Sequence, residues 1–301
     1  MCEHIVATDI YCELDAAKVS YQTIDSRGVL AHIDGKRGDN SRCVVLYADE
    51  YYWDKVLQLT TSLALDADFE GRLYIFFPAE TFVGELEPSL FDSRKVVAAV
   101  MPTENFSLGQ GEVLFCPGKM LASRDVLRVK ITPEQVGAAA ITNNHVVSAL
   151  SELALRVENF CGEDCRVQIN DVVAKAELYP VPHCASFRAT IYCLKEGVRE
   201  SVRRMILGAV DELEYKYDVS VDAAVNPCEP CVENDLQLSY EAMLQAREAG
   251  YMVHDGDAEF TSHPFGYVAE CYPSLMYYCG VGEHTDCREL AATIVKNILN
   301  K

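Results

Sequence analysis

Leu73-Tyr74-Ile75-Phe76-Phe77-Pro78-Ala79-Glu80-Thr81 is the stretch that decides the fold class of this chain. Its apolar half does not alternate with polar residues, which is the pattern of a strand buried on both faces. The run delivers one carboxylate, Glu80, to the strand's end. In open α/β sheets the carboxyl ends of strands present ligand groups, so Glu80 stands where chemistry could occur. A capping or surface carboxylate is the plainer alternative for it. Thr81 follows, a hydroxyl where a metal site would want a second carboxylate.

Working outward, strands fit 27–35, 43–48 and 95–101, and a helix fits 53–66. Apolar strands separated by helical segments argue for an α/β layered core. The middle of the chain reads differently. Val126-Leu127-Arg128-Val129-Lys130-Ile131 alternates with strand period, and a helix follows over about 143–157. Strands then fit 166–176 and 185–194; in the second, Phe187, Ala189, Ile191 and Cys193 share one face. A long amphipathic helix fits 197–217, and 219–225 alternates again. The order β-α-β-β-α-β is the split βαβ or ferredoxin-like unit, an antiparallel sheet with helices on one face. A helix over 235–249, a strand ending at 277–282 and a helix over 286–299 return to the α/β style. The expected architecture is thus a discontinuous α/β/α core (1–125 and 229–301) with a ferredoxin-like domain inserted at 126–228.

The 301 residues are half hydrophobic and 24% charged, an ordinary globular composition with room for two domains. A net charge of −20 repels nucleic acid and anionic membranes, so neither is an expected partner. No run reaches the ~18 apolar residues of a membrane span. Met1-Cys2-Glu3-His4 has no basic start to an apolar signal segment. The 13 cysteines are odd in number and scattered, and with no signal segment they are expected as reduced thiols in a cytoplasmic protein. Cys228-Glu229-Pro230-Cys231 and Cys161-Gly162-Glu163-Asp164-Cys165 leave two other readings open. One is a zinc site sharing both pairs; the other is a redox pair, which would need a thioredoxin-like context.

Several segments carry a family resemblance in chain order. Val45-Leu46-Tyr47-Ala48-Asp49-Glu50 resembles the strand and turn "ALRADMDALP", and residues 72–81 resemble "RLIFQPAEE". Pro117-Gly118-Lys119-Met120-Leu121-Ala122-Ser123 resembles "GPLMAS", and Ala185-Ser186-Phe187-Arg188-Ala189-Thr190-Ile191-Tyr192 resembles "AELRGTVRTF". Val198-Arg199-Glu200-Ser201-Val202 resembles "VRERV", and Val232-Glu233-Asn234-Asp235 resembles a "VND" segment. Thr261-Ser262-His263-Pro264-Phe265-Gly266-Tyr267, with Pro273 beyond it, resembles "GSEDFAYYLQKVPG". These are motifs of the M20 metallopeptidase clan, in its amidohydrolase branch acting on N-acyl amino acids. The resemblance implies a zinc-peptidase type, phosphorylase/hydrolase-like core and an inserted lid or dimerisation domain.

It also implies a two-metal Zn or Mn site, and there the chain departs from the pattern. Between Asp49 and Gly71 only the helix 53–66 has room, so the loop bearing "CGHD" is missing. The metal-binding glutamate is Thr81. The next histidine falls at Val100 or Met101, and the insert's histidine falls near Ala138. The "SED" carboxylates become His263 and Pro264. The last metal histidine has His284 as its nearest counterpart. Fewer than 30 residues precede the strand at Gly28, where the family usually has helices. The expectation is a degenerate member with no metal and no cofactor, in which Glu80 is a vestigial general base. Asp49, Glu50, Thr81, His263 and His284 are the ligand-binding candidates; His145 and His183 have no partner pattern and read as structural. The expected activity is non-hydrolytic, in binding a small molecule or partnering another chain as a homodimer or heterodimer. An amide hydrolase or peptidase with a site rebuilt around Glu80 is the alternative.

Overall fold

The computed structural model describes residues 3–38, 41–80, 82–134, 145–174, 176, 182–281 and 287–301. Thr81 and His284 therefore lie outside the described residues. The chain divides into two compact units. The first comprises Met1–Met120, Val232–Asp257 and Pro264–Lys301, and the second Leu121–Cys231 with Ala258–His263.

The first unit opens with α1 (Glu3–Ala16), β1 (Ser20–Ile24), β2 (Gly28–Asp34), β3 (Arg42–Tyr47) and α2 (Trp53–Asp66). It continues with β4 (Arg72–Pro78), β5 (Lys95–Asn105), β6 (Glu112–Phe115) and β7 (Gly118–Leu121). The second unit holds β8 (Ser123–Pro133), α3 (Val146–Glu158), β9 (Cys165–Ala174), β10 (Ala185–Cys193), α4 (Glu196–Tyr217) and β11 (Val219–Pro227). The chain then returns to the first unit through β12 (Val232–Asn234), α5 (Leu236–Glu248) and β13 (Met252–Asp255). A single turn, α6 (Gly266–Ala269), leads to β14 (Ser274–Gly280) and α7 (Arg288–Leu299).

Eight strands of the first unit form one sheet in the order β1-β2-β4-β3-β5-β14-β6-β13. Its centre, β4-β3-β5-β14, is parallel. β1 and β2 add an antiparallel margin on one side. In β4, Leu73, Ile75 and Phe77 join a core built with Leu14 of α1, Val56 and Leu63 of α2, Met243 of α5 and Ile294 of α7. Tyr74 and Phe76 face the other way, where the rings of Phe91 and Phe82 meet them edge-on, each at 5.0 Å between centroids. Both faces are buried, which is why the run is apolar without alternation. The short stretch before Gly28 contributes α1, whose Ile10 and Leu14 are buried in the same core.

Asn234 ties the return segment into the first unit. Its side-chain amide donates to the carbonyls of Cys116 (2.9 Å) and Met276 (2.8 Å), and its oxygen accepts from the Met276 N–H (2.7 Å). Asp235 then caps α5 by accepting from the Leu238 N–H at 2.8 Å, satisfying an amide that the first helical turn leaves open.

The second unit is an antiparallel sheet in the order β11-β8-β10-β9. Its β-α-β-β-α-β sequence and strand order are those of the ferredoxin-like unit. Phe187, Ala189, Ile191 and Cys193 pack with the apolar stripes of α3 and α4. At the start of β8, the carboxylate of Asp125 is buried against two guanidinium groups. Arg199 donates Nη2 at 2.6 Å and Nε at 3.1 Å, and Arg203 donates Nε at 3.1 Å. Asp125→Ala strands a buried guanidinium and is expected to cost about 3–5 kcal/mol. Hydrogen exchange should then show lost protection in β8, β10 and α4, with β3 and β4 unchanged.

Candidate functional site

The parallel strands of the first unit end together, and the register says what their ends carry. Tyr47 of β3 pairs with Phe76 of β4, and Gly280 of β14 pairs with Asn105 of β5. Asp49 lies two residues past β3, and Glu80 two residues past β4. Thr103 and Glu104 belong to the last turns of β5 itself.

This last feature differs from the expected strand over 95–101, because β5 runs on to Asn105. The sequence signal for an ending is Pro102, which lacks a ladder donor. The physical reason it is tolerated lies in the register. The Ala99 N–H donates to Pro273 on the β14 side, so by alternation the Pro102 imide faces the β3 side. There the β3 pairing has already ended at Leu46 with Val100. No ladder bond is lost, and the strand carries Thr103 and Glu104 into the site.

Asp49 is 2% exposed and accepts a hydrogen bond from the hydroxyl of Thr103, itself buried. Glu50 is exposed and takes a hydrogen bond from the neighbouring phenol of Tyr51, which together with the charge raises that phenol's pKa. Glu80 is exposed and makes no hydrogen bond or ion pair among the described residues. His263 belongs to the second unit, where it is half-buried next to Ser262, whose hydroxyl donates to Glu229 at 3.3 Å.

Three further residues complete the edge, and sequence patterns gave no signal for them. Lys55, in the first turn of α2, forms an ion pair with Glu104, and its ammonium lies 5.1 Å from the Tyr52 ring centroid. Tyr52 is buried beside Cys279, which pairs in register with Glu104. Burial pushes the Tyr52 phenol well up, and Cys279, Cys287 and Glu104 add to the shift. Burial likewise raises the Cys279 thiol, helped by its hydrogen bond with Cys287. A thiol held protonated is a poor nucleophile and a poor metal ligand, so the floor behind the Lys55–Glu104 pair is neutral.

Among the described residues, no group of three His, Cys, Asp or Glu side chains could hold a metal ion. That includes the pairs Cys161/Cys165 and Cys228/Cys231. Cys161 accepts from the Val167 N–H at 3.1 Å, and Cys165 lies 3.8 Å from Cys193 between sulfurs. Of the described carboxylates at the strand ends, Asp49 is engaged by a hydroxyl and Glu104 by an ammonium, and Glu80 has no partner among the described residues. No helix among the described residues is long and apolar enough to cross a membrane.

No protein-family model matches the chain, and no curated protein matches it in sequence. Solved structures do resemble it. A candidate aminohydrolase from methicillin-resistant Staphylococcus aureus superposes with a TM-score of 0.80 at 16% identity, covering 98% of this chain and 90% of that one. A dinuclear metal-binding peptidase of the M20 family from Bacillus subtilis gives 0.77 at 15% identity, with the same coverage of 98% and 90%. An aminobenzoyl-glutamate utilization protein from Klebsiella pneumoniae gives 0.70 at 14% identity, again covering 98% and 90%. The fold is that of M20-type peptidases and amidohydrolases. Likeness at this level of identity carries the fold and leaves the activity to the site.

Thr103→Val removes a donor from a buried carboxylate and is expected to cost about 1–3 kcal/mol. Thr103→Ser should keep the bond and most of the stability. Urea unfolding of the two variants side by side checks this.

Proposed function

We propose that this chain uses an amidohydrolase fold without metal-dependent hydrolysis, as a small-molecule binding protein or a partner subunit. The observation that carries it is the state of the strand ends in the first unit. Asp49 is answered by Thr103, and Glu104 by Lys55. A hydrolytic zinc centre needs three or more protein ligands to hold the ion and to bring its bound water toward a pKa of ~7. A carboxylate paired with an ammonium offers such an ion little. The ligand in this proposal sits at the exposed part of that edge, near Glu50 and Glu80. The twelve described cysteines are free thiols, six of them buried, in keeping with a reducing compartment, and we assign the cytoplasm.

One observation favours a second reading, an amide hydrolase rebuilt around Glu80: this carboxylate is exposed and unpaired among the described residues, as an available base would be. Metal analysis separates the two. Protein purified without chelator is expected to carry less than one equivalent of Zn, Mn or Co. A full equivalent that disappears in Glu80→Gln would sink the non-hydrolytic proposal.

We further propose that the second unit mediates association with another copy. β9 is an edge strand, and Val172 and Val173 on it are exposed, an arrangement that invites strand pairing. Light scattering should return twice the 33.5 kDa chain mass, and Val172→Lys should return the mass of one chain. A wild-type protein of single-chain mass rules the idea out.

A further inference from the structure

The sheet of the second unit has one face covered by α3 and α4, and no described element of that unit covers its other face. Alternation along β8 sends Leu127, Val129 and Ile131 into the covered core and leaves Arg128 and Lys130 exposed. On that other face, Arg128 stands directly opposite Arg188 of β10 and Ala224 of β11. Lys130 stands opposite Ser186 and Asp222. Together they line a shallow depression of about 470 Å³, within the size range of small-molecule sites.

Like charges directly opposite across an antiparallel pair work against the sheet. Two carboxylates of the same depression offset them in part: Asp171, and Asp222 directly opposite Lys130. Arg188 has one long ion pair, 3.9 Å to Asp171, between two well-exposed side chains. Arg128 and Lys130 make no hydrogen bond or ion pair among the described residues. The chain as a whole carries −20, so a cluster of three cations goes against its own charge balance. The two guanidinium groups thus face each other in register, with carboxylates only at the sides, an arrangement that an oxyanion seated between them would relieve.

We infer that this depression binds a small organic dianion bearing two carboxylate or phosphate groups. The opposed guanidinium groups of Arg128 and Arg188 spring from positions about 5 Å apart and can grip one oxyanion in fork geometry. Lys130, two residues along and about 7 Å away, takes the second anionic group, with the Ser186 hydroxyl beside it. Val173 and Ala224 supply apolar wall for the carbon spacer between the two. Asp171 and Asp222 at the same depression disfavour a third negative group. Nucleic acid is a poor occupant because three cations cannot offset a chain of this net charge. This site lies within the second unit, and its test does not depend on what the strand ends of the first unit do.

Calorimetric titration of the full chain at low ionic strength tests it, with succinate and inorganic pyrophosphate as probes and acetate as the monoanion control. At least one probe is expected to bind at one equivalent, more tightly than acetate. R128A/R188A should weaken it at least tenfold, and R204A, on the exposed face of α4, should leave it unchanged. Binding of succinate alone identifies a carboxylate site, and of pyrophosphate alone a phosphate site. Without any anion, R128A should melt no lower than wild type, because it removes a repulsion. No measurable binding of either probe overturns the inference. So does a wild-type affinity in R128A/R188A, an equal loss in R204A, or a lower melting temperature for R128A in anion-free buffer.

Discussion

A carboxylate withdrawn from water must be answered locally, or it is protonated or forced back to the surface. Among the described residues two carboxylates are buried, Asp49 and Asp125, and each is answered in a different way. In the first unit a neutral hydroxyl from β5 meets the turn after β3, which joins two adjacent parallel strands at the end where ligands are presented. In the second unit two guanidinium groups of α4 meet the first residues of β8, fixing helix to sheet where the inserted chain begins. The apolar cores supply most of the stabilisation, but they are non-directional. These two polar contacts set which strand end and which helix turn come together.

Much of the framework was legible because apolar periodicity reports burial directly. The run 73–77 is buried on both faces and shows no alternation, whereas β10 is buried on one face and alternates cleanly. The helices of the second unit were equally plain, since each must cover one side of a sheet. What was not legible came from partners distant in sequence. Pro102 hid the end of β5, because nothing local reveals that β3 has already stopped beside it. β6, β12 and β13 are only three or four residues long and have no room for a period. Lys55 looks like any solvated helix residue until the register places Glu104 opposite the start of α2. Glu80 was visible as a strand-end carboxylate, but that it has no partner among the described residues is a property of the fold.

The charge distribution follows the same division. A net charge of −20 is mostly surface, and it says more about repelled partners than about structure. The informative charges are those held against a gradient of cost. Arg199 is buried with its acid, and Arg72 is shielded by a bidentate pair with Asp34 at 2.6 and 2.9 Å. Arg128 and Arg188 have no such cover, although they face each other across one strand pair. In the first two cases the fold explains the charge; in the third two like charges stand in register, with only the long Arg188–Asp171 pair beside them.

An ammonium and a divalent cation make different demands on a site, and this difference bears on what the strand ends can do. The ammonium is satisfied by one carboxylate and an aromatic face, and it brings its own hydrogen-bond donors. The divalent ion requires several anionic or imidazole ligands converging at about 2 Å, with further groups orienting them. Lys55, Glu104 and Tyr52 form a set of the first kind. Behind them, Cys279 and Cys287 share a hydrogen bond in a buried, neutral setting that favours thiol over thiolate. The TM-scores to metal-binding and amide-cleaving proteins therefore describe a scaffold that aligns strand ends, and the chemistry at those ends is set by residues that fold likeness does not constrain.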